Sequence, residues 1–252
     1  MKIGFITTHD PSDRRAWSGT PFSMSRALEA SGVSIEYYGP LSDNLKLFSK
    51  LKQLAYRYAA RQHYDWRRDP TLLQSYALEI QKRLKQRPVD LLLSPSTLPV
   101  SFLDCKQPVV FWTDGVYAQL SRYYPSKLPI SKHQEQEGNS IEQQALSRCR
   151  LALFSSEWAC NGALEYYDVS RSKLHAVSFG ANFQPIALDK ITTAINNRSR
   201  DSCKLLFLAV DWHRKGGDVA WQTHEAVKRL GLKATLTIVG CKPPSYIPIS
   251  EG

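Results

Sequence analysis

The chain has 252 residues, 42% hydrophobic and 22% charged, with a formal net charge of +10. That is an ordinary globular composition, long enough for one large domain or two of average size, and it excludes a disordered or fibrous chain. Five scattered cysteines (Cys105, Cys149, Cys160, Cys203 and Cys241) form no Cys-x-x-Cys pair, which argues against a disulfide frame or zinc site and for a cytoplasmic protein with reduced thiols.

The first strand is expected over Ile3 to Thr8; its apolar run is too short for a signal peptide. A loop with Trp17-Ser18-Gly19-Thr20-Pro21 follows, then a helix from about Pro21 through Leu28, with Gly32 just past its end. Val33 to Tyr38 is a second strand. Two helical stretches come next, about Asn44 to His63 and Pro70 to Gln86. Val89 to Ser94 and Pro108 to Thr113 read as buried strands. Ser131 to Arg148 is helical, Leu151 to Ser156 a strand, Glu157 to Tyr167 a helix, and Lys173 to Phe179 a strand closed by Gly180. Asp189 to Ser202 is polar, with little periodicity, and reads as a linker.

Beyond it, Lys204 to Val210 is a strand, a helix starts near Asp218, and Ala234 to Gly240 is a further strand. The alternation of strands and helices predicts an α/β fold with a parallel sheet. The expected division is a Rossmann-like domain over 1–185, a linker over 186–202, and a partial second domain over 203–252. No stretch of about eighteen apolar residues marks a membrane span.

The net charge fits a solvated surface, an acidic substrate or an anionic membrane. No zinc finger, aromatic RNA-binding signature or basic zipper is visible, so nucleic acid is not an expected partner. One segment concentrates the charge. Lys46, Lys50, Lys52, Arg57, Arg61, Arg67 and Arg68 stand against one acid, Asp65, while Leu47, Leu51, Leu54 and Tyr58 recur at helical spacing. Two readings stay open: a helix with its apolar stripe on the core, or a surface helix that touches anionic lipid.

Asp211-Trp212-His213-Arg214-Lys215-Gly216-Gly217-Asp218 carries the plainest chemistry. A strand feeding a helix through glycines and cations is a place to hold phosphate. The first-turn N–H groups and helix dipole favour an anion, Gly216 and Gly217 allow close approach, and Arg214 and Lys215 add charge. Histidines are scattered without ligand spacing, so no metal is expected.

The order of segments resembles the family 4 glycosyltransferases, which have the GT-B fold of two Rossmann-like domains. Ser18-Gly19-Thr20-Pro21 resembles the family's first glycine loop. Ser155-Ser156-Glu157-Trp158-Ala159 resembles its Ser-x-aromatic step into a helix. Lys173 to Phe183 resembles its strand and turn before the linker, and Asp211 to Gly217 its Lys-Gly diphosphate loop. Two departures stand out: Ala209-Val210 replace a common Gly-Arg pair, and the chain ends before the family's paired glutamates. The resemblance therefore implies a complete N-terminal domain and the first strand–helix–strand unit of a truncated C-terminal domain.

The resemblance implies a retaining glycosyltransferase that moves a sugar from a nucleotide-diphosphate donor, its co-substrate, to an acceptor hydroxyl on a glycan or lipid-linked acceptor. Arg214, Lys215, Gly216 and Gly217 would hold the diphosphate without a metal, and Asp114 would orient the transferred sugar. Gly19 and Thr20 either make a plain turn or lie against phosphates or acceptor. Arg14, Arg15 and Trp17 would shape the acceptor pocket. Little or no turnover is expected from residues 1–252 alone, and self-association through the partial unit is one expected outcome. Two other readings remain: a non-catalytic module that binds a glycan, polyanion or partner, and an epimerase of the same fold.

Overall fold

Short apolar runs pair side by side to make the central sheet. In a computed structural model, which describes residues 1–42, 44–124, 126–183, 185–199 and 201–248, these runs are β1 (Lys2–Ile6), β2 (Ser34–Tyr38), β3 (Leu91–Ser94), β4 (Val109–Thr113), β5 (Leu151–Phe154) and β6 (Leu174–Ala176). All pairings are parallel, in the order β2-β1-β3-β4-β5-β6. The chain steps outward from β1 to β2 and then returns to the other side of β1, so the winding reverses between β1 and β3.

The two faces of the sheet carry separate apolar layers, as a parallel sheet covered on both sides requires. Ile3, Phe5 and Leu93 pack with Met24 of α1 (Thr20–Ala30). Ile6, Leu92, Phe111 and Phe154 pack with Leu72, Leu73 and Ile80 of α3 (Pro70–Gln86), Ile141, Ala145 and Leu146 of α5 (Lys132–Arg148) and Ala159 and Ala163 of α6 (Glu157–Tyr166). Side chains cap three of these helices. Asp69 accepts from the Thr71 N–H, Ser131 from Gln134 and Ser156 from Ala159, which satisfies donors the helix itself leaves open.

Three local features differ from the sequence expectation. The helix expected over 44–63 is shorter: α2 (Lys46–Ala55) passes into a π turn over Tyr56–Ala60 and stops at Arg61, whose φ is 50°. Tyr56 stacks on Tyr64 at 4.9 Å, which draws the chain back on itself. The apolar stripe of α2 does not face the core; Ser49 is buried while Leu47 is 70% and Leu51 55% exposed. A short helix, α4 (Tyr117–Tyr123), was not expected from the sequence. The linker also contains α7 (Leu188–Asn196). Its polar residues hide a helical repeat at Leu188, Ile191 and Ile195.

The chain divides into two compact units, Met1–Phe183 and Gln184–Gly252. The second contains β7 (Ser202–Leu208), α8 (Gly217–Arg229) and β8 (Lys233–Val239), with β7 and β8 parallel. Its core is Phe207, Ala209, Trp212 and Ile247. Leu206 and Leu208 are exposed, because α8 covers only one side of this ribbon. Arg200 of the linker and residues 249–252 of the tail lie outside the described residues.

Candidate functional site

The reversal between β1 and β3 leaves room at the carboxyl ends of the strands, where open α/β sheets bind ligands. A pocket of about 420 Å³ lies there. Its floor is Ile6 and Thr7 after β1, Ser94 to Thr97 after β3, and Thr113, Asp114 and Gly115 after β4. A second pocket of about 350 Å³ shares Arg67, Arg68, Asp114 and Leu120 with it and extends to Tyr117, Gln134 and Glu137. Asp114 therefore lies on the wall common to both.

The cationic wall comes from a distant part of the chain. Arg68 Nη1 donates to the buried Glu142 Oε2 at 3.2 Å, and Thr97 Oγ1 donates to the same oxygen at 3.1 Å. The Arg68 guanidinium lies over the Tyr117 ring, 4.3 Å from its centroid. Burial pushes the Glu142 carboxyl up, and the Arg68 charge only partly draws it back. Arg67 forks onto Asp65, with Nε 2.8 Å and Nη2 3.3 Å from its oxygens. Behind them, buried Asp69 accepts from Lys52 Nζ and Tyr64 Oη, both at 2.8 Å. Burial pushes Asp69 up, but these hydrogen bonds outweigh it and hold the carboxyl below its ordinary value.

The first glycine loop enters with Trp17, which lines the larger pocket. Trp17 and Ser18 have φ of 46° and 54°, and Gly19 has φ of 80°. Asn182 Nδ2 fixes this bend by donating to Ser18 O at 3.0 Å and Thr20 Oγ1 at 3.1 Å. A Cβ on Gly19 would lie 3.0 Å from Arg14 O. Thr20 lines a different, smaller hollow with Trp112 and Phe179. Arg14 packs over Phe22 at 4.8 Å, and Arg15 reaches Asp13 at 3.9 Å. Neither arginine lines the strand-end pockets.

In the second unit, the loop from Asp211 to Gly217 joins β7 to α8. Gly216 has φ of 78°, and a Cβ on Gly217 would meet the Trp212 ring at 2.2 Å. The loop is braced by Asp211, which accepts from the Arg214 N–H at 2.8 Å. Asp218, in the first turn of α8, accepts from Trp212 Nε1 at 2.9 Å and Tyr246 Oη at 2.7 Å, and lies 3.2 Å from His213 Nδ1. The Tyr246 and Trp212 hydrogen bonds hold its carboxyl below the ordinary value. Lys215 is exposed. Among the described residues no group of three or more His, Cys, Asp or Glu is placed to hold a metal.

The chain matches the solved lipopolysaccharide outer core galactosyltransferase WaaB in its apo form, with a TM-score of 0.51 at 10% identity over 96% of this chain. The fold is a glycosyltransferase fold of the GT-B type. The chain spans 61% of that galactosyltransferase's length. No family model matches the sequence, and no curated protein does. At this identity the likeness is one of fold.

Within that GT-B fold, the structure brings Asp114 and Trp17 together in one pocket and keeps Arg214, Lys215, Gly216 and Gly217 in one loop. It leaves Arg14, Arg15, Gly19 and Thr20 outside the strand-end pockets. Sequence reasoning missed Arg67, Arg68, Glu142 and Thr97. The signal was partial: Arg67 and Arg68 stood at the end of the basic segment, but nothing local showed that they fold back over the strand ends. Tyr246 was hidden in a proline-containing tail.

Proposed function

We propose that the protein is a glycosyltransferase that moves a sugar from a nucleoside-diphosphate donor to an acceptor hydroxyl, with the retention that the family 4 resemblance implies. The observation that carries this is the position of Asp114 at the carboxyl end of β4, in the wall common to both strand-end pockets. In this reading the first unit binds the acceptor. Asp114 accepts a hydrogen bond from a sugar or acceptor hydroxyl, Arg68 donates to acceptor oxygens from a guanidinium anchored on Glu142, and Trp17 offers an apolar face. A pyranose has polar edges and an apolar face, so this mixture suits it.

The loop of the second unit supplies the diphosphate contacts. As the sugar leaves, negative charge grows on the phosphates. Lys215 and the first N–H groups of α8 stabilise it, with one well-placed donor contributing roughly 3–4 kcal/mol. Calorimetric titration with UDP, GDP and ADP tests the reading. Binding of one of them, weakened about tenfold in Lys215→Ala, supports it; no binding of any of them sinks it.

A second reading, a non-catalytic module that binds a glycan, is favoured by Asp218. Its carboxylate puts negative charge in the same helix turn that would receive phosphate, and opposes a second anion there. A protein that binds a glycan but no nucleoside diphosphate would fit this reading.

A further inference from the structure

Helix α2 is mounted with its polar side inward. Ser49 is buried and donates to Leu45 O, and Gln53 Nε2 reaches Tyr64 O at 2.9 Å. Leu47, Phe48, Leu51, Leu54 and Tyr58, in contrast, are 46–73% exposed. At about 100° per residue these side chains cover roughly 120° of the helix surface. Lys46, Lys50 and Arg57 stand along one border of that arc, whereas Lys52, on the other, is turned onto Asp69. From Asn44 to Tyr64 the sequence has no acidic residue.

An apolar arc in water costs free energy unless something covers it, and an arc of this width exceeds the scattered exposed leucines of ordinary surfaces. The basic border selects the cover. A membrane with anionic headgroups takes the leucines and aromatics at the acyl boundary and the lysines and arginine at the phosphates. We infer that α2 is a docking surface for an anionic lipid bilayer, with Leu47, Phe48, Leu51, Leu54 and Tyr58 inserted and Lys50 and Arg57 on the headgroups.

The location adds a second observation. Leu54, Arg57 and Tyr58 line a groove of about 670 Å³ with Gln62, His63, Tyr64 and Ser126. His63, Tyr64 and Ser126 also line the smaller strand-end pocket that contains Asp114. The docking face thus adjoins the candidate site through a continuous surface. The inference goes beyond the proposed sugar transfer and does not depend on it, because lipid binding is read without donor or acceptor.

The test is cosedimentation with vesicles of phosphatidylcholine alone and of phosphatidylcholine mixed with phosphatidylglycerol. The protein is expected to pellet with the anionic vesicles, to be released by high salt, and to stay in solution with the neutral ones. The combined Leu51→Ser, Leu54→Ser and Tyr58→Ser variant alters exposed positions only, and its fold is checked by circular dichroism. It is expected to bind about tenfold or more weakly. The Lys50→Gln and Arg57→Gln pair is expected to remove the preference for anionic vesicles. A Phe48→Trp reporter should shift its emission to the blue only with anionic vesicles. Recovery in the supernatant with both vesicle types overturns the inference. So does equal binding by the serine variant, or a wild-type dimer that the serine variant dissolves while neither protein binds lipid.

Discussion

Arg68 rests on the buried carboxylate of Glu142, with Nη1 3.2 Å from Oε2. The Arg68 side chain is 17% exposed and that of Glu142 1%, so the pair joins the wall of the pocket to the interior of α5. Removing only the cation leaves a carboxylate stranded in the core. Arg68→Met is expected to cost about 3–5 kcal/mol, whereas Arg68→Met with Glu142→Met recovers most of it. Urea unfolding of the single and double variants measures the difference; similar losses in both would mean that packing, not charge, holds this wall.

Asp69 gives the protein an acid-sensitive anchor. Its folded carboxyl lies below the ordinary value despite burial, because Lys52 and Tyr64 donate to the ionised form. A depressed folded value contributes stability above the unfolded pKa, about 3.9, and that contribution disappears as pH falls through the folded value. Asp69→Asn is therefore expected to cost about 2 kcal/mol near neutrality and progressively less in acid. Melting temperatures of the two proteins, followed from neutral pH downward, should converge.

Gly138 sits against the ring of Tyr117. A Cβ there would lie 2.4 Å from the ring, and Arg68 on that ring limits its freedom to move. Alanine favours a helix by up to about 1 kcal/mol over glycine, but overpacking costs about 1–3 kcal/mol. Gly138→Ala is expected to be a net destabilisation, read as a lowered denaturant midpoint. A gain in stability would show that Tyr117 moves freely.

Lys215 and Asp218 act in opposite directions on an anion at α8. Lys215→Ala should weaken UDP binding, and Asp218→Asn should strengthen it by about two- to fivefold, the size of one charge at a helix end. The amide still accepts from Trp212 and Tyr246, so the loop keeps its bracing. Calorimetry on both variants checks the sign; a weaker Asp218→Asn protein would show that this carboxylate serves the ligand.

The sheet was readable because its strands are short apolar runs with turns between them. β3 and β5, with Leu91-Leu92-Leu93 and Leu151-Ala152-Leu153-Phe154, have little alternative. Helix α3 was equally plain, because Pro70 and the run of leucines define it from start to end. The amphipathic pattern of α2 was visible too, but not its orientation. Periodicity reports that one face is apolar, and only Ser49 turned inward shows which face meets the protein. Asp114 was legible as a strand-end residue. Its neighbours Arg68 and Glu142 were not, because 74 residues separate them in the chain and no local pattern encodes so distant a pair.

The strand-end pockets take their cations, Arg67 and Arg68, from the stretch between the π turn and α3, which contributes no rung to the sheet. Recognition and scaffold are thus written in different parts of the chain. Exchanges at His63 and Arg67 alter what the wall greets while every ladder from β2 to β6 stays intact. Divergent descendants of this architecture should keep the layered core and vary in this short crossing, which makes it the natural place to graft a new preference.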